Sequence, residues 1–130
     1  MSLNNSSMAS GVARIDLTIP EATPSLNKML RRHWSVDRKL KQRWRDSVWW
    51  ALREQGYGQR REPLGRARVT ITRLSPRMLD PDNATGGAKH VVDALRACNV
   101  ISDDTPEHLE LIVRQEKGKA ATRIQIEPIT

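Results

Sequence analysis

Two aspartates separated by one proline are the strongest chemical feature of this sequence. Asp80 and Asp82 flank Pro81, and Asn83 follows directly. Proline favours an extended conformation for the residue before it, and residues two apart in an extended segment point the same way. We therefore expect both carboxylates to face one point. Because Mg²⁺ takes oxygen ligands, usually one or two carboxylates with waters and substrate phosphate, this spacing predicts a Mg²⁺ site.

A second acidic pair, Asp103 and Asp104, follows about twenty residues later. A carboxylate from either residue would complete a shallow acidic cup with the first pair. Both motifs also have an ordinary structural interpretation. Asp, Pro and Asn are turn residues, and Asp104 or Thr105 could cap a short helical turn opened by Pro106. The acidic residues alone leave the choice between a metal site and turns open.

Other metals fit the pattern less well. A calcium-binding loop that began at Asp80 would need an oxygen side chain at its fifth position, which is Ala84. The three histidines and Cys98 lack the spacing of zinc ligands.

Lys89 lies on an apolar helical pattern that follows the first acidic pair. Asp93 is four residues further on, so a surface ion pair between them is one interpretation. The other is that Lys89 approaches a scissile phosphate, where it would hold the phosphate charge or position the attacking water.

The charge of the chain is unevenly distributed. The formal net charge is +7, and residues 28–73 carry 14 Lys and Arg against 4 Asp and Glu, whereas residues 79–130 carry 6 against 9. A basic surface favours a polyanionic partner, most often nucleic acid. A solvated basic helix without a partner is the alternative. A membrane surface fits less well, because the basic residues lie on several faces of the predicted helix.

The composition predicts one globular domain. Hydrophobic residues make up 38% and charged residues 28% of the chain, and no apolar run approaches the roughly 18 residues of a membrane span. The N-terminus lacks the features of a signal peptide, and the single Cys98 cannot form an internal disulfide. We expect a cytoplasmic protein with no membrane partner, in which residues 1–12 are a disordered leader and residues 13–130 a single domain.

Apolar periodicity predicts the elements that must position these residues. A basic helix should run from an N-cap at Ser35 to about Gln55, with Gly56 as its C-terminal stop, and a second helix should end near Asn99. We expect an α+β fold with a mixed β-sheet of about four strands and two main helices, in which the last two strands form a hairpin. Alternating residues mark the strands at Ile15, Leu17 and Ile19, at Ala67, Val69 and Ile71, at Leu109, Leu111 and Val113, and at Thr122, Ile124 and Ile126.

The tryptophans of the first helix have different expected environments. Trp44 falls on the apolar stripe and should belong to the core. Trp49 and Trp50 cannot both share that stripe, because neighbours lie about 100° apart on a helix. One of them is therefore either exposed at an interface or placed at the edge of the core.

Residues 79–111 resemble the RusA family of Holliday junction resolvases, which is common in prophages. The family pattern is Asp-x-Asp-Asn, then a helix with a Lys followed by Asp-Ala-Leu, then an Asp-Asp pair after a short apolar turn. These elements stand here at residues 80–83, 89, 93–95 and 103–104. The opening IPEATPSLNKMLRRHW is similar to the family's P-S-x-N segment. One departure is the segment 84–88, which places a few extra residues between Asn83 and Lys89.

The resemblance implies a RusA-like, homodimeric, Mg²⁺-dependent endonuclease, with Mn²⁺ as a substitute, that cuts four-way DNA junctions in DNA recombination and repair. It implies that Asp80, Asp82 and Asp104 are the metal-binding catalytic carboxylates, that Asp103 is a supporting metal-site acid, and that Lys89 is the catalytic lysine. Two sites in a two-fold dimer suit a junction whose two scissile strands are related by symmetry. The residues expected to hold DNA phosphates are Asn27, Lys28, Arg31, Arg32, Arg38, Lys39 and Arg43.

Two alternatives stay open. One is a non-catalytic nucleic-acid-binding module with a structural acidic cluster. The other is a nuclease of the same fold that acts on other branched DNA, such as flaps or forks.

Overall fold

The framework of the protein is a mixed four-stranded sheet covered by helices. The computed structural model describes residues 14–26, 34–57 and 62–129. In these ranges, two main helices and one short helix accompany the sheet, which confirms the predicted α+β class. The elements in chain order are β1 (Ile15–Ile19), α1 (Trp34–Glu54), β2 (Ala67–Ser75), α2 (Pro81–Gly87), α3 (Lys89–Ala97), β3 (Leu109–Lys117) and β4 (Ala121–Pro128).

The predicted hairpin of the last two strands is wrong. The spatial order of the sheet is β1-β4-β2-β3, so β2 lies between β3 and β4. β3 pairs in parallel with β2, and α2 and α3 form the long crossover that parallel pairing requires. The short link from β3 to β4 passes the end of β2, where the Gly118 N–H donates to the Ser75 carbonyl at 3.2 Å.

One face of the sheet carries the core. β1 alternates strictly between buried and exposed residues, and the buried residues of β1, β2 and β4 form one cluster with apolar residues of α1 and α3. Trp44 is 1% exposed and belongs to this cluster, as predicted. The opposite face carries ionic contacts instead, in which Arg68 of β2 lies 3.0 Å from Glu110 and 3.1 Å from Glu127 on the neighbouring strands.

The helix ends agree with the sequence pattern except at one position. α1 already includes Trp34, so Ser35 lies inside the helix and its prediction as the N-cap is wrong. Gly56 follows the end of α1 with φ 89°, a conformation that glycine adopts without steric cost. After α3, Asn99 adopts φ 64°, and the Val100 N–H donates to the Leu95 carbonyl at 2.9 Å.

Some predictions fall on residues beyond the described ranges. They concern the leader of residues 1–12 and four of the expected DNA-binding residues, Asn27, Lys28, Arg31 and Arg32. In the part of the chain that is described, no helix combines the length and the apolar character needed to cross a membrane.

Candidate acidic centre and nucleic-acid interface

The segment that carries the first acidic pair is fixed to β3 through its main chain. The Leu79 N–H donates to the Gln115 side-chain oxygen at 2.8 Å, and the Gln115 amide nitrogen donates to the Leu79 carbonyl at 2.8 Å. Gln115 lies near the C-terminal end of β3, opposite Arg73 of β2. The position of Asp80 is therefore set by an amide clamp that does not use its own carboxylate.

Asp80 and Asp82 both lie at the start of α2. Asp80 is extended, with φ −61° and ψ 146°, and it is the N-cap residue, as the following proline favours. Its side chain makes no capping hydrogen bond. The helix begins at Pro81, so Asp82 is helical, and our expectation of one extended segment holds for Asp80 only. Both aspartates are exposed. Since Asp80 does not cap the helix, its oxygens are available to a ligand.

The segment 84–88, which holds the few extra residues between Asn83 and Lys89, has a packing role. Gly86 and Gly87 end α2 against the loop before α1. A Cβ on Gly87 would lie 1.7 Å from the Pro24 carbonyl oxygen, and one on Gly86 would lie 2.8 Å from the Leu26 side chain. The two glycines therefore permit a backbone contact that no other residue would allow at position 87.

Lys89 is the first residue of α3 and is exposed. The carboxylate of Asp93, its predicted ion-pair partner, lies instead 4.0 Å from Arg96. The lysine is thus presented to solvent after α2 rather than held by Asp93.

The second acidic pair surrounds an arginine. Arg96, at the end of α3, lies 3.4 Å from Asp103 and 3.6 Å from Asp104. The Asp104 N–H donates to the Asp103 carboxylate at 2.8 Å. This backbone hydrogen bond, followed by a side-chain interaction with Asp104 and by the Arg96 guanidinium, holds the pKa of Asp103 below its ordinary value. One guanidinium thus contacts both carboxylates of this pair and offsets part of their negative charge.

The structure places the two acidic pairs at opposite ends of the parallel strands. Asp80 follows Leu79, which is clamped at Gln115, whereas Thr105 accepts the N–H of Leu109 at the first residue of β3. Six residues of strand separate Leu109 from Gln115, or about 20 Å. Within the described ranges, no group of three or more His, Cys, Asp or Glu is placed to hold a metal ion. One chain thus does not assemble the expected acidic cup.

A cleft lined by arginines lies beside Asp80. We call it the loop cleft; its volume is about 470 Å³, and Leu79 forms part of its wall. Arg73 donates to the Thr23 carbonyl at 2.9 Å and to the Arg77 carbonyl at 3.0 Å, and burial lowers the pKa of its guanidinium. Arg43 forms an ion pair with Glu21 in the same cleft. The charged lining residues are Arg43, Arg73, Arg77 and Glu21.

The predicted DNA-binding residues of α1 point in different directions. Arg43 lines the loop cleft, whereas Arg38 lines a separate cleft between α1 and α3, and Lys39 is exposed. Arg73 and Arg77 are not among the predicted DNA-binding residues, and neither are Lys41, Arg45 and Arg96, which line the cleft with Arg38. The spacing of Arg38, Lys41 and Arg45 indicates a shared basic face, because residues three and four apart lie on the same side of a helix.

Comparison with known proteins adds no assignment. No protein-family model matches the chain, and no curated protein matches it. The resemblance to the RusA family therefore rests on the motif residues themselves.

Proposed function

We propose that this protein is a Mg²⁺-dependent endodeoxyribonuclease that resolves four-way DNA junctions by hydrolysing phosphodiester bonds. One observation carries the proposal: Asp80 and Asp82 are exposed, and Leu79, the residue before Asp80, lines a cleft that also contains three arginines. Carboxylates next to a polyanion site repel the ligand unless a cation lies between them. The order of the motif residues from 79 to 111 supports the same interpretation.

The residues present at the start of α2 fit a hard cation. Asp80 and Asp82 would hold Mg²⁺ through carboxylate oxygens, because Asp80 is not used as a helix cap and both side chains are exposed. A bound Mg²⁺ supplies polarisation of the phosphate and a lowered pKa for a coordinated water. Lys89 then holds phosphate charge, and the arginines of the loop cleft hold the adjacent DNA backbone.

The proposal places two copies of the chain in the active form. Asp80 lies near the end of β3 and Asp104 near its start, and the described residues hold no group of three His, Cys, Asp or Glu placed for a metal ion, so the proposal takes Asp104 from a second copy. In a two-fold dimer, each surface patch meets its counterpart, and Asp104 of one copy can approach Asp80 of the other. A homodimer with two such sites suits the two symmetric cuts of a junction.

A cleavage assay on four-way junctions tests the proposal. With Mg²⁺ or Mn²⁺, Asp80→Asn and Asp82→Asn should each lower the cleavage rate at least about 100-fold. Losing only a residue that hydrogen-bonds to a metal ligand already lowers metal affinity or activity about 10–100-fold. Both variants should keep or tighten junction binding, because each removes a negative charge near phosphate. Asp16→Asn, an exposed aspartate of β1, is the matched control and should cut normally.

Cleavage of flaps, forks and plain duplex by the same preparations tests the substrate. Preferred cutting of four-way junctions supports a resolvase, and preferred cutting of flaps or forks assigns the activity to other branched DNA. Binding of junctions without cutting under any metal would show that the enzyme proposal is wrong.

One observation favours a second candidate, a non-catalytic DNA-binding module. Asp103 and Asp104 both lie within 4 Å of Arg96, as residues of a structural cluster would. In that case Asp80→Asn and Asp104→Asn would change only binding and stability.

A further inference from the structure

The cleft between α1 and α3 is the strongest cationic feature outside the acidic centre. Its volume is about 420 Å³, and we call it the interhelix cleft. The two helices run in the same direction. Arg38, near the start of α1, lines the cleft together with His90, near the start of α3. Further along both helices, the Cys98 thiol donates to the Arg45 carbonyl at 3.9 Å. Its polar lining residues are Arg38, Lys41, Arg45, His90, Asp93 and Arg96.

The lining carries more cations than carboxylates, although two of the cations have acidic partners. Four cationic side chains line the cleft with one carboxylate, that of Asp93. Arg96 lies 4.0 Å from Asp93, and it also contacts Asp103 and Asp104. Lys41 lies 3.6 Å from Asp37, whose other oxygen lies 3.6 Å from the buried His90. The Arg45 side chain hydrogen-bonds to the neutral amide of Gln42. The charge of Arg45 is therefore available to an anion in the cleft.

The cationic residues continue along α1 as an elongated stripe. Arg38, Lys41 and Arg45 are followed at helical spacing by Trp49 and Arg53, which line an adjoining cavity of about 310 Å³. The Arg53 guanidinium lies 4.8 Å from the Trp49 ring centre, and the neighbouring Trp50 is 60% exposed. From residue 38 to 53 the helix rises about 22 Å, which matches about six nucleotides of a DNA strand.

We propose that the interhelix cleft binds the phosphate backbone of a DNA strand. An elongated groove with cations at each turn and aromatic rings at one end fits a nucleic-acid strand better than a single small anion. The inference rests on the proposed function for the identity of its ligand. It assigns Lys41 and Arg45 to DNA binding and separates this surface from the loop cleft beside Asp80.

DNA binding in EDTA, at several salt concentrations, tests the inference without any cleavage. The double variant Lys41→Gln with Arg45→Gln should bind four-way junctions at least about tenfold more weakly and lower the salt slope by about 1.8, because each phosphate contact contributes about 0.9. The charge-conserving double variant Lys41→Arg with Arg45→Lys should bind nearly as the unaltered protein does. Thermal unfolding confirms that each variant is folded.

The matched control removes the same charge from another surface. Lys119→Gln with Arg123→Gln alters the β3–β4 link and β4. If this control lowers the salt slope as much as the cleft variant, or if the cleft variant binds normally, the inference is overturned. A protein that binds through the cleft but never cuts junctions would contradict the proposed function alone.

Discussion

The two acidic pairs of this protein differ in what compensates their charge. Asp80 and Asp82 are exposed at the start of α2, and the chain near them is held by the neutral Gln115 amide. Asp103 and Asp104 share the Arg96 guanidinium at the end of α3. Within the described residues, the two pairs thus differ in whether a cation of the same chain contacts their carboxylates.

This difference separates a ligand-binding role from a structural one. A carboxylate that contributes to folding finds a cation or an N–H donor in its own chain, as Asp103 does with the Asp104 N–H. An exposed pair on a fixed backbone, in which Asp80 does not cap the helix, leaves its oxygens open to a ligand. The Asp80 end is therefore the stronger candidate for the metal, and in the proposed dimer the Asp104 end contributes to the site of the second copy.

The largest expected effect comes from mixing two inactive chains. We expect Asp82→Asn and Asp104→Asn each to abolish junction cleavage as homodimers. A heterodimer of the two, purified with different affinity tags, contains one site with both substitutions and one with neither, if each site uses both chains. It should nick one strand at about half the rate of the unaltered dimer.

The alternative arrangement gives a different readout. If Asp104 acts within its own chain, both sites of the heterodimer carry a substitution and neither strand is cut. Full activity of Asp104→Asn alone would show that the second acidic pair has only a structural role.

The next largest effect concerns Gly87, which packs the end of α2 against Pro24. Gly87→Ala should lower the free energy of unfolding by about 3 kcal/mol, because its Cβ would overlap the Pro24 carbonyl and force the backbone to move. The helix propensity of alanine returns at most about 1 kcal/mol. Chemical denaturation measures the change.

Gly65→Ala is the matched control, since a Cβ there meets nothing within 4 Å. We expect its change to stay within about 0.5 kcal/mol. Equal effects of the two substitutions would show that the contact with Pro24 does not fix the Asp80 end.

The sequence predicted the elements of the fold but not all of their pairing. Strict alternation from Ile15 to Ile19 located β1, and Gly56 located the end of α1. The hairpin prediction was wrong because local pattern does not reveal that β2 inserts between β3 and β4. That order depends on contacts between residues far apart in sequence.

The site was predictable in its residue types but not in its arrangement. Pro81 correctly indicated an extended Asp80, yet it also opened a helix that includes Asp82. The distance between the acidic pairs follows from the direction of the crossover between β2 and β3, which spacing along the chain does not give. Arg96 went unnoticed because its partners Asp103 and Asp104 are seven and eight residues away, beyond the turn after α3.

The smallest expected effect concerns the contact between Arg96 and Asp103. In Arg96→Gln, the pKa of Asp103 should rise only part of the way to its ordinary value, because the Asp104 N–H still donates to its carboxylate. An NMR titration of the side-chain carboxyl measures this. Arg53→Gln removes one cation from α1 and should leave the pKa of Asp103 unchanged.

The same substitution should change how stability depends on pH. Because the pKa of Asp103 is lower in the folded protein than in the unfolded chain, its contribution is present above the ordinary aspartate pKa and is lost as the pH falls through the lowered value. Arg96→Gln weakens this contribution, so its stability should fall less than that of the unaltered protein between neutral and acidic pH. Urea denaturation of both proteins at neutral and at acidic pH measures these free energies of unfolding. A steeper acid loss in Arg96→Gln would mean that Arg96 does not compensate Asp103, and the contrast between the two ends would disappear.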